Sequence, residues 1–405
     1  MPAISLHCRN CQTEHELGPF AVCSKCFGPL DPVYDLDALR GSVTRESIAA
    51  GPQSIWRYAE LLPVPAPSEP RLAPGLTPLV PARRLASALG LSDLYLKLDT
   101  ANPTHSFKDR VVAVACQKAL ELGMQTLSCS STGNLANAVA ARAAAEGMEA
   151  VVFCPADLEP EKLVATAVYG ATIYAVRGTY DDCSRLSVEV SFEVPWGFVN
   201  VGLRAYYAEG SKTLGFEIAE QLGWRLPDVV VAPIASGAMY SKVSQGFAEL
   251  VELGLVSGDA PRMIGAQAEG CNPVAAAWDD DRRVTPVRPR SIARSLAIGN
   301  PADGDLAVAT AKRTGGAIYA VPEEDIGLNM GLLAETTGVF GETAAGVALG
   351  ALRQAVAREQ AREGDCVVLL VTGDGLKTPD PIAERLAPVE IDADADALLD
   401  RLGVV

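Results

Sequence analysis

Short, wholly apolar runs alternate with alanine-rich stretches along most of this chain. Ala150–Phe153, Val229–Ala232 and Val367–Val371 carry no polar side chain at all. A strand built from such a run has both faces covered, as happens inside a parallel sheet. Leu94–Leu98 is a further strand candidate. Between the runs, Val111–Leu122 and Leu135–Glu146 have the alanine content and spacing of buried helices. Parallel strands need a crossover, and a helix is the usual one. The alternation therefore predicts α/β layers over a mostly parallel sheet. With 405 residues, two or three domains fit. No short-period repeat interrupts the pattern.

The balance of residue types narrows the function classes. Hydrophobic residues make up 49% and charged residues 21%, as in soluble globular proteins. A net charge of −16 argues against general binding to nucleic acid or anionic membranes. A small anionic substrate stays open, because a cleft can oppose the global sign. No apolar run reaches the ~18 residues of a membrane span. The start, Met1 to Cys8, lacks a basic region followed by an apolar run, so no signal peptide and a cytoplasmic location are expected.

Reduced thiols are then the expectation for the ten cysteines. Cys116, Cys129, Cys154, Cys183, Cys271 and Cys366 are scattered without ligand spacing and read as core residues. Cys8-x2-Cys11 and Cys23-x2-Cys26, eleven residues apart, differ from these. Two such turns can aim four thiolates at one tetrahedral zinc ion. Four sulfur ligands close the coordination sphere, which makes the site structural. The alternatives are two redox motifs or unrelated buried thiols; His7 and His15 lie nearby as bystanders. Leu61–Gly75, with five prolines, reads as an extended connector over the surface. Arg282–Arg294 reads as an exposed loop, and Glu390–Asp396 as a solvated acidic tail.

Four segments carry chemistry. Asn102-Pro103-Thr104-His105-Ser106-Phe107-Lys108-Asp109-Arg110 follows the strand candidate Leu94–Leu98 and offers Lys108 as an amine for an aldehyde. Alone, such a lysine is more often a solvated charge. Ser130-Ser131-Thr132-Gly133-Asn134 precedes a helix, and its amides and hydroxyls suit a carboxylate; an ordinary N-cap is the other reading. Asn134 adds an amide for a phenolic oxygen. Val229–Met239 runs from strand through a small-residue turn, Ala235-Ser236-Gly237-Ala238-Met239, into a helix, a geometry that can cradle phosphate. Thr372 ends the run Val367–Val371, where a hydroxyl can face a ring nitrogen. An amine, a carboxylate cradle, a phosphate cup and a ring-nitrogen partner together suit pyridoxal 5′-phosphate holding an amino acid.

At these residues the chain resembles the threonine synthases, fold type II pyridoxal-phosphate enzymes of the tryptophan-synthase β superfamily. Asn102-Pro103-Thr104 with Ser106–Arg110 matches the family's lysine motif, and Ser131–Asn134 its substrate loop. Gly265–Gly270 and Ile298-Gly299-Asn300-Pro301 are similar to segments characteristic of threonine synthases, and Cys23–Leu30 to the zinc-ribbon start of many members. The resemblance implies two three-layer α/β domains and a small ribbon: residues 1–34 as ribbon, 35–110 with 205–405 as the cofactor domain, and 111–204 as the smaller substrate-side domain. It implies Lys108 as the Schiff-base lysine. Asn134, Ala235, Ser236, Gly237, Ala238, Met239 and Thr372 would bind cofactor, and Ser131, Thr132 and Asn134 substrate. Zinc would sit on Cys8, Cys11, Cys23 and Cys26. The implied reaction is O-phospho-L-homoserine plus water giving L-threonine plus phosphate, by γ-elimination and β-addition of water. A dehydratase, a β-replacement synthase or a non-catalytic binding module are the alternatives, and a homodimer is open.

Three positions depart from the family's usual pattern. His105 stands where glycine is common. The phosphate loop keeps one glycine, Gly237, where the family usually has Gly-Asn-Ala-Gly-Asn. The arginine of the segment Arg204–Thr213 is displaced.

Overall fold

The computed structural model describes residues 3–131, 133–156, 163–383 and 388–403. Strands β1 (Ala3–Cys8), β2 (Glu14–His15) and β3 (Leu30–Tyr34) form a small antiparallel sheet in the order β2-β1-β3. Its apolar side chains Leu6 and Leu30, with Cys8 and Cys23, join the same core cluster as Val139 and Val112 of the main body. The module is therefore docked rather than tethered.

β4 (Leu79–Pro81) and β5 (Asp93–Leu98) begin a second sheet. The chain then leaves it to build a four-stranded parallel sheet from β6 (Thr126–Ser130), β7 (Glu149–Pro155), β8 (Thr172–Val176) and β9 (Gly197–Phe198), in the order β8-β7-β6-β9. It returns with β10 (Val229–Pro233), β11 (Arg262–Ala268), β12 (Ala317–Val321) and β13 (Cys366–Val371). The order of the large sheet is β12-β11-β10-β13-β5-β4, with β4 antiparallel to an otherwise parallel set.

The continuous apolar runs are explained by layers on both faces. Val229 and Val231 pack into one core with Leu349 and Leu333, while Val230 and Ala232 pack into another with Phe247 and Val243. β13 alternates in the same way, Val367, Leu369 and Val371 against Val368 and Leu370. Each such side chain contributes about 1.5–3 kcal/mol when removed from water. The expected helices are present as Lys108–Glu121 and Asn134–Glu146, packed together in the core under the four-stranded sheet. Small buried side chains, Ala136, Ala140 and Ala143 among them, allow that close approach.

The proline-rich connector departs from its expected course. Its first residues, Leu61, Leu62 and Val64, are buried in the main cores, and only the stretch from Pro65 to Ala73 runs at the surface. The aliphatic residues among the prolines outweigh the polar character of the rest. Arg142 then holds the exposed part by donating to the carbonyl oxygens of Arg71 and Leu72. The six scattered cysteines are buried, as expected of core residues. The 282–292 loop is largely exposed. No helix among the described residues is long and apolar enough to cross a membrane.

A buried charge cluster lies under the lysine segment. The Arg110 guanidinium donates to both oxygens of Asp99 at 2.8 Å and to both oxygens of Glu217 at 2.5 and 2.8 Å. Lys97 adds a 2.7 Å contact to Glu217, and the Leu76 N–H another at 2.7 Å. Burial alone would push the Glu217 carboxyl up. Arg110 and Lys97 prevail and hold it down to about 2.

Candidate active site

In parallel sheets, ligands bind beyond the carboxyl ends of the strands. Here β10, β13 and β5 are neighbours. The segments after them are Ala235–Met239, Thr372–Lys377 and Asp99–Lys108. Three of the four chemistry-bearing segments therefore meet at one edge because their strands are adjacent.

Lys108 opens the helix Lys108–Glu121 and is half-buried. Its amine donates to the Tyr207 hydroxyl at 3.2 Å and lies 5.4 Å from the centre of the Phe107 ring. The preceding loop is stapled to the end of β13. The Phe107 N–H donates to the Thr372 carbonyl at 2.8 Å, Ser106 bridges Gly373, and the Asp374 N–H donates to the His105 carbonyl at 3.1 Å. Thr104 closes the loop from within: its N–H and hydroxyl both donate to Asp109, at 2.8 and 3.0 Å. His105 adopts φ 58°, the left-handed region where glycine is at ease, and its exposed ring sits 3.2 Å from the Thr100 carbonyl. That conformation accounts for the family's glycine preference at this position.

Asn134 heads the helix after β6 and lies across from the C-terminal loop. Its amide donates to Glu342 at 3.0 and 3.2 Å, and its oxygen accepts from Lys377 at 2.8 Å. Lys377 also donates to the Thr104 carbonyl. Burial raises the Glu342 carboxyl above the ordinary carboxylate range and lowers the Lys377 ammonium. Ser131 takes a backbone bond to Phe153 at 3.1 Å. Thr132 lies outside the described residues.

The small-residue turn has the form expected of an anion cup. Gly237 takes φ 94° as the N-cap of the helix Ala238–Glu252. A Cβ there would lie 2.4 Å from the Asp303 carbonyl oxygen, so only glycine fits. Among the described residues, no protein acceptor meets the N–H groups of Gly237, Ala238 or Met239. Orphaned amides at the start of a long helix are what a phosphate needs. A second orphan, the fully buried Ser106 hydroxyl, lies two residues from Lys108. The residues present therefore fit an amine-bound phosphorylated cofactor. Asp303, itself buried, anchors the cup: its N–H donates to the Ser236 carbonyl at 2.8 Å, and its carboxylate takes Arg9 and Arg204.

The four ribbon sulfurs all lie within 4.8 Å of one another. Cys8 and Cys26 are 3.3 Å apart, Cys11 and Cys23 3.6 Å. The edge of a tetrahedron with ~2.3 Å Zn–S bonds is roughly 3.8 Å, so the set fits zinc. His15 contacts the Cys23 sulfur at 3.3 Å, outside the set of four.

Sequence reasoning missed Tyr207, Glu342, Lys377 and Asp303. Lys377 follows Thr372 closely and was within reach of a local reading. Tyr207 lies in the segment Arg204–Thr213, which was compared with the family for its arginine alone, while Glu342 and Asp303 come from distant segments with no motif of their own.

The model of the family described as "Pyridoxal-phosphate dependent enzyme" matches residues 71–373. A threonine synthase of Methanosarcina acetivorans is 35% identical over 98% of both chains. One of Methanocaldococcus jannaschii is 32% identical over 96% of this chain and 97% of its own. Among solved structures, an L-serine ammonia-lyase of Rhizomucor miehei matches with a TM-score of 0.65 at 22% identity, over 76% of this chain and 97% of its own. Maize serine racemase matches with a TM-score of 0.62 at 19% identity, over 82% and 94%. The two structures share the fold; the two sequences, matched from ribbon to tail, carry the closer relationship. The chain belongs to the pyridoxal-phosphate dependent enzymes, within the threonine synthase family.

Proposed function

We propose that this protein converts O-phospho-L-homoserine and water to L-threonine and phosphate. The observation that carries this reading is the near-complete alignment with relatives named threonine synthase, which includes the ribbon and the C-terminal segment. The lyase and racemase structures align less completely and at lower identity, so the dehydratase reading is the weaker one.

When bound, pyridoxal 5′-phosphate supplies an electron sink for carbanion chemistry. The chain's own residues do the rest. Gly237, Ala238 and Met239 offer N–H groups to the cofactor phosphate, with Ala235 and Ser236 shaping the approach. Thr372 presents a neutral hydroxyl to the ring nitrogen. Asn134, oriented by Glu342 and Lys377, serves the phenolic oxygen, and Ser131, Thr132 and the start of the helix Asn134–Glu146 receive the substrate carboxylate. With the cofactor bound, the Lys108 amine would hold its aldehyde carbon and would take and return protons at the substrate's reacting carbons. Tyr207, its hydroxyl partner, steadies the amine between these duties. Cys8, Cys11, Cys23 and Cys26 hold a structural zinc ion outside the reaction.

Incubation with O-phospho-L-homoserine should release inorganic phosphate and threonine in equal amounts. L-Threonine and O-acetylserine should turn over far more slowly. Faster deamination of threonine than release of phosphate would replace this reading with the dehydratase one.

A further inference from the structure

Arg9 lies inside the Cys8-x2-Cys11 turn, yet its side chain reaches a residue 294 positions away in the sequence. One edge of its guanidinium, Nε and Nη2, grips Asp31 of the ribbon at 2.7 and 3.1 Å. The remaining nitrogen, Nη1, donates to Asp303 at 2.8 Å. Asp303 is 2% exposed. Its N–H holds the Ser236 carbonyl, and its own carbonyl lies against Gly237. A second tie runs beside the first: Asp31 accepts from Lys242 at 3.1 Å, and Lys242 stands on the helix that Gly237 caps.

We propose that Arg9 is a positioning residue for the phosphate cup, so that metal occupancy of the ribbon sets how tightly the cup holds the cofactor. This rests on the reading that Ala235–Met239 takes the cofactor phosphate. Two physical effects act together. A buried carboxylate is tolerable only when paired. Without Arg9, Asp303 keeps Arg204 alone and can pull away from Ser236 to find another donor. Its negative charge beside the cup is then less well neutralised, which opposes a phosphate dianion. Arg9 and Arg204 together offset the Asp303 carboxylate at the cup's edge, with Arg9 divided between Asp303 and Asp31. Arg9 keeps its direction only while its turn keeps its shape, and four-sulfur coordination is what fixes a turn of this kind. Ribbon and cup are thereby coupled, and coupling is reciprocal: bound cofactor should also slow zinc loss.

The zinc-loaded full-length enzyme is stripped of cofactor, and pyridoxal 5′-phosphate is titrated back into wild type, Arg9→Gln, Asp303→Asn, Lys25→Gln and Gly237→Ala. Lys25 occupies the other cysteine turn and is exposed, so Lys25→Gln is the control for a mere change of ribbon charge. Arg9→Gln should raise the cofactor dissociation constant about tenfold, a typical size for coupling between sites, and should shift the 31P resonance of bound cofactor. Asp303→Asn removes the local negative charge together with the tether, so weaker binding in it supports positioning, tighter binding overturns positioning in favour of charge alone, and Lys25→Gln should do neither. Zinc withdrawal from wild type should weaken cofactor binding to a similar degree, and add little in Arg9→Gln. A folded, zinc-loaded Arg9→Gln with wild-type affinity and 31P shift overturns the proposal, provided Gly237→Ala binds cofactor weakly. Wild-type affinity in Gly237→Ala as well means that the phosphate lies elsewhere, and the cup reading falls first. Should Arg9→Gln not fold, unchanged cofactor affinity in zinc-free, still-folded wild type overturns the proposal in the same terms.

Discussion

The Lys108 amine meets a phenol 99 positions away in the sequence. Tyr207→Phe keeps the ring and removes the oxygen, so packing survives while the amine loses a partner. We expect turnover to fall roughly tenfold to a hundredfold, the scale of one lost hydrogen bond to a charged group. Borohydride reduction should still label Lys108. Loss of the label would mean that Tyr207 holds the loop rather than tunes the amine. At His105 the backbone, not the ring, is under constraint. With φ at 58°, His105→Val forces a β-branched residue into left-handed geometry and should cost about 1–2 kcal/mol. His105→Gly should stay within about 1 kcal/mol of wild type. Chemical denaturation of both variants checks the ordering. Lys108 was legible because motif and strand end coincide. Tyr207 was not, because nothing local to Ala205–Ala208 distinguishes a phenol that meets an amine from one that fills a core.

Among the elements, the joint between β5, the helix Lys108–Glu121 and the helix Lys212–Gln221 is electrostatic. Glu217 has its carboxyl held down to about 2, against an ordinary 4.5. A depressed carboxyl contributes stability that is present above its unfolded value and lost as pH falls through the folded one. The contribution is therefore full above about pH 4.5 and drains away toward pH 2, with an order of magnitude of about 3 kcal/mol. Glu217→Gln, which leaves buried cations short of an anion, should cost about 3–5 kcal/mol at neutral pH. Its deficit should narrow on acidification, which urea unfolding at two pH values measures; a constant deficit would place the effect in packing instead. Parallel strands could be read from sequence because an all-apolar run has few other uses. The buried part of the connector could not, since Leu62 and Val64 are separated by prolines that signal irregular backbone whether it lies inside or outside. The same holds for Arg110: the lysine motif includes it, but only the fold brings Asp99 and Glu217 to it.

At the scale of the molecule, the ribbon shares a core with the main body through Leu6, Leu30, Val112 and Val139. Metal removal should therefore lower the unfolding temperature of the whole protein, not release a floppy appendage. Differential scanning of enzyme treated with a chelator should show one transition displaced downward; an unmoved main transition with a separate early one would mean the ribbon folds on its own account. The large sheet has another property that follows from its strand order. β13, last of its strands in the sequence, lies between β10 and β5 and touches both. During synthesis the halves on either side emerge first, each with an open hydrogen-bonding edge and an apolar face, and neither can close on the other until Cys366–Val371 leaves the ribosome. The loop carrying Lys108 waits as well, because its staple is Thr372. A nascent chain stopped short of that strand has translated the lysine, the cup and the ribbon, and still has no active site; what it exposes instead is a pair of edges suited to chaperones or to aggregation.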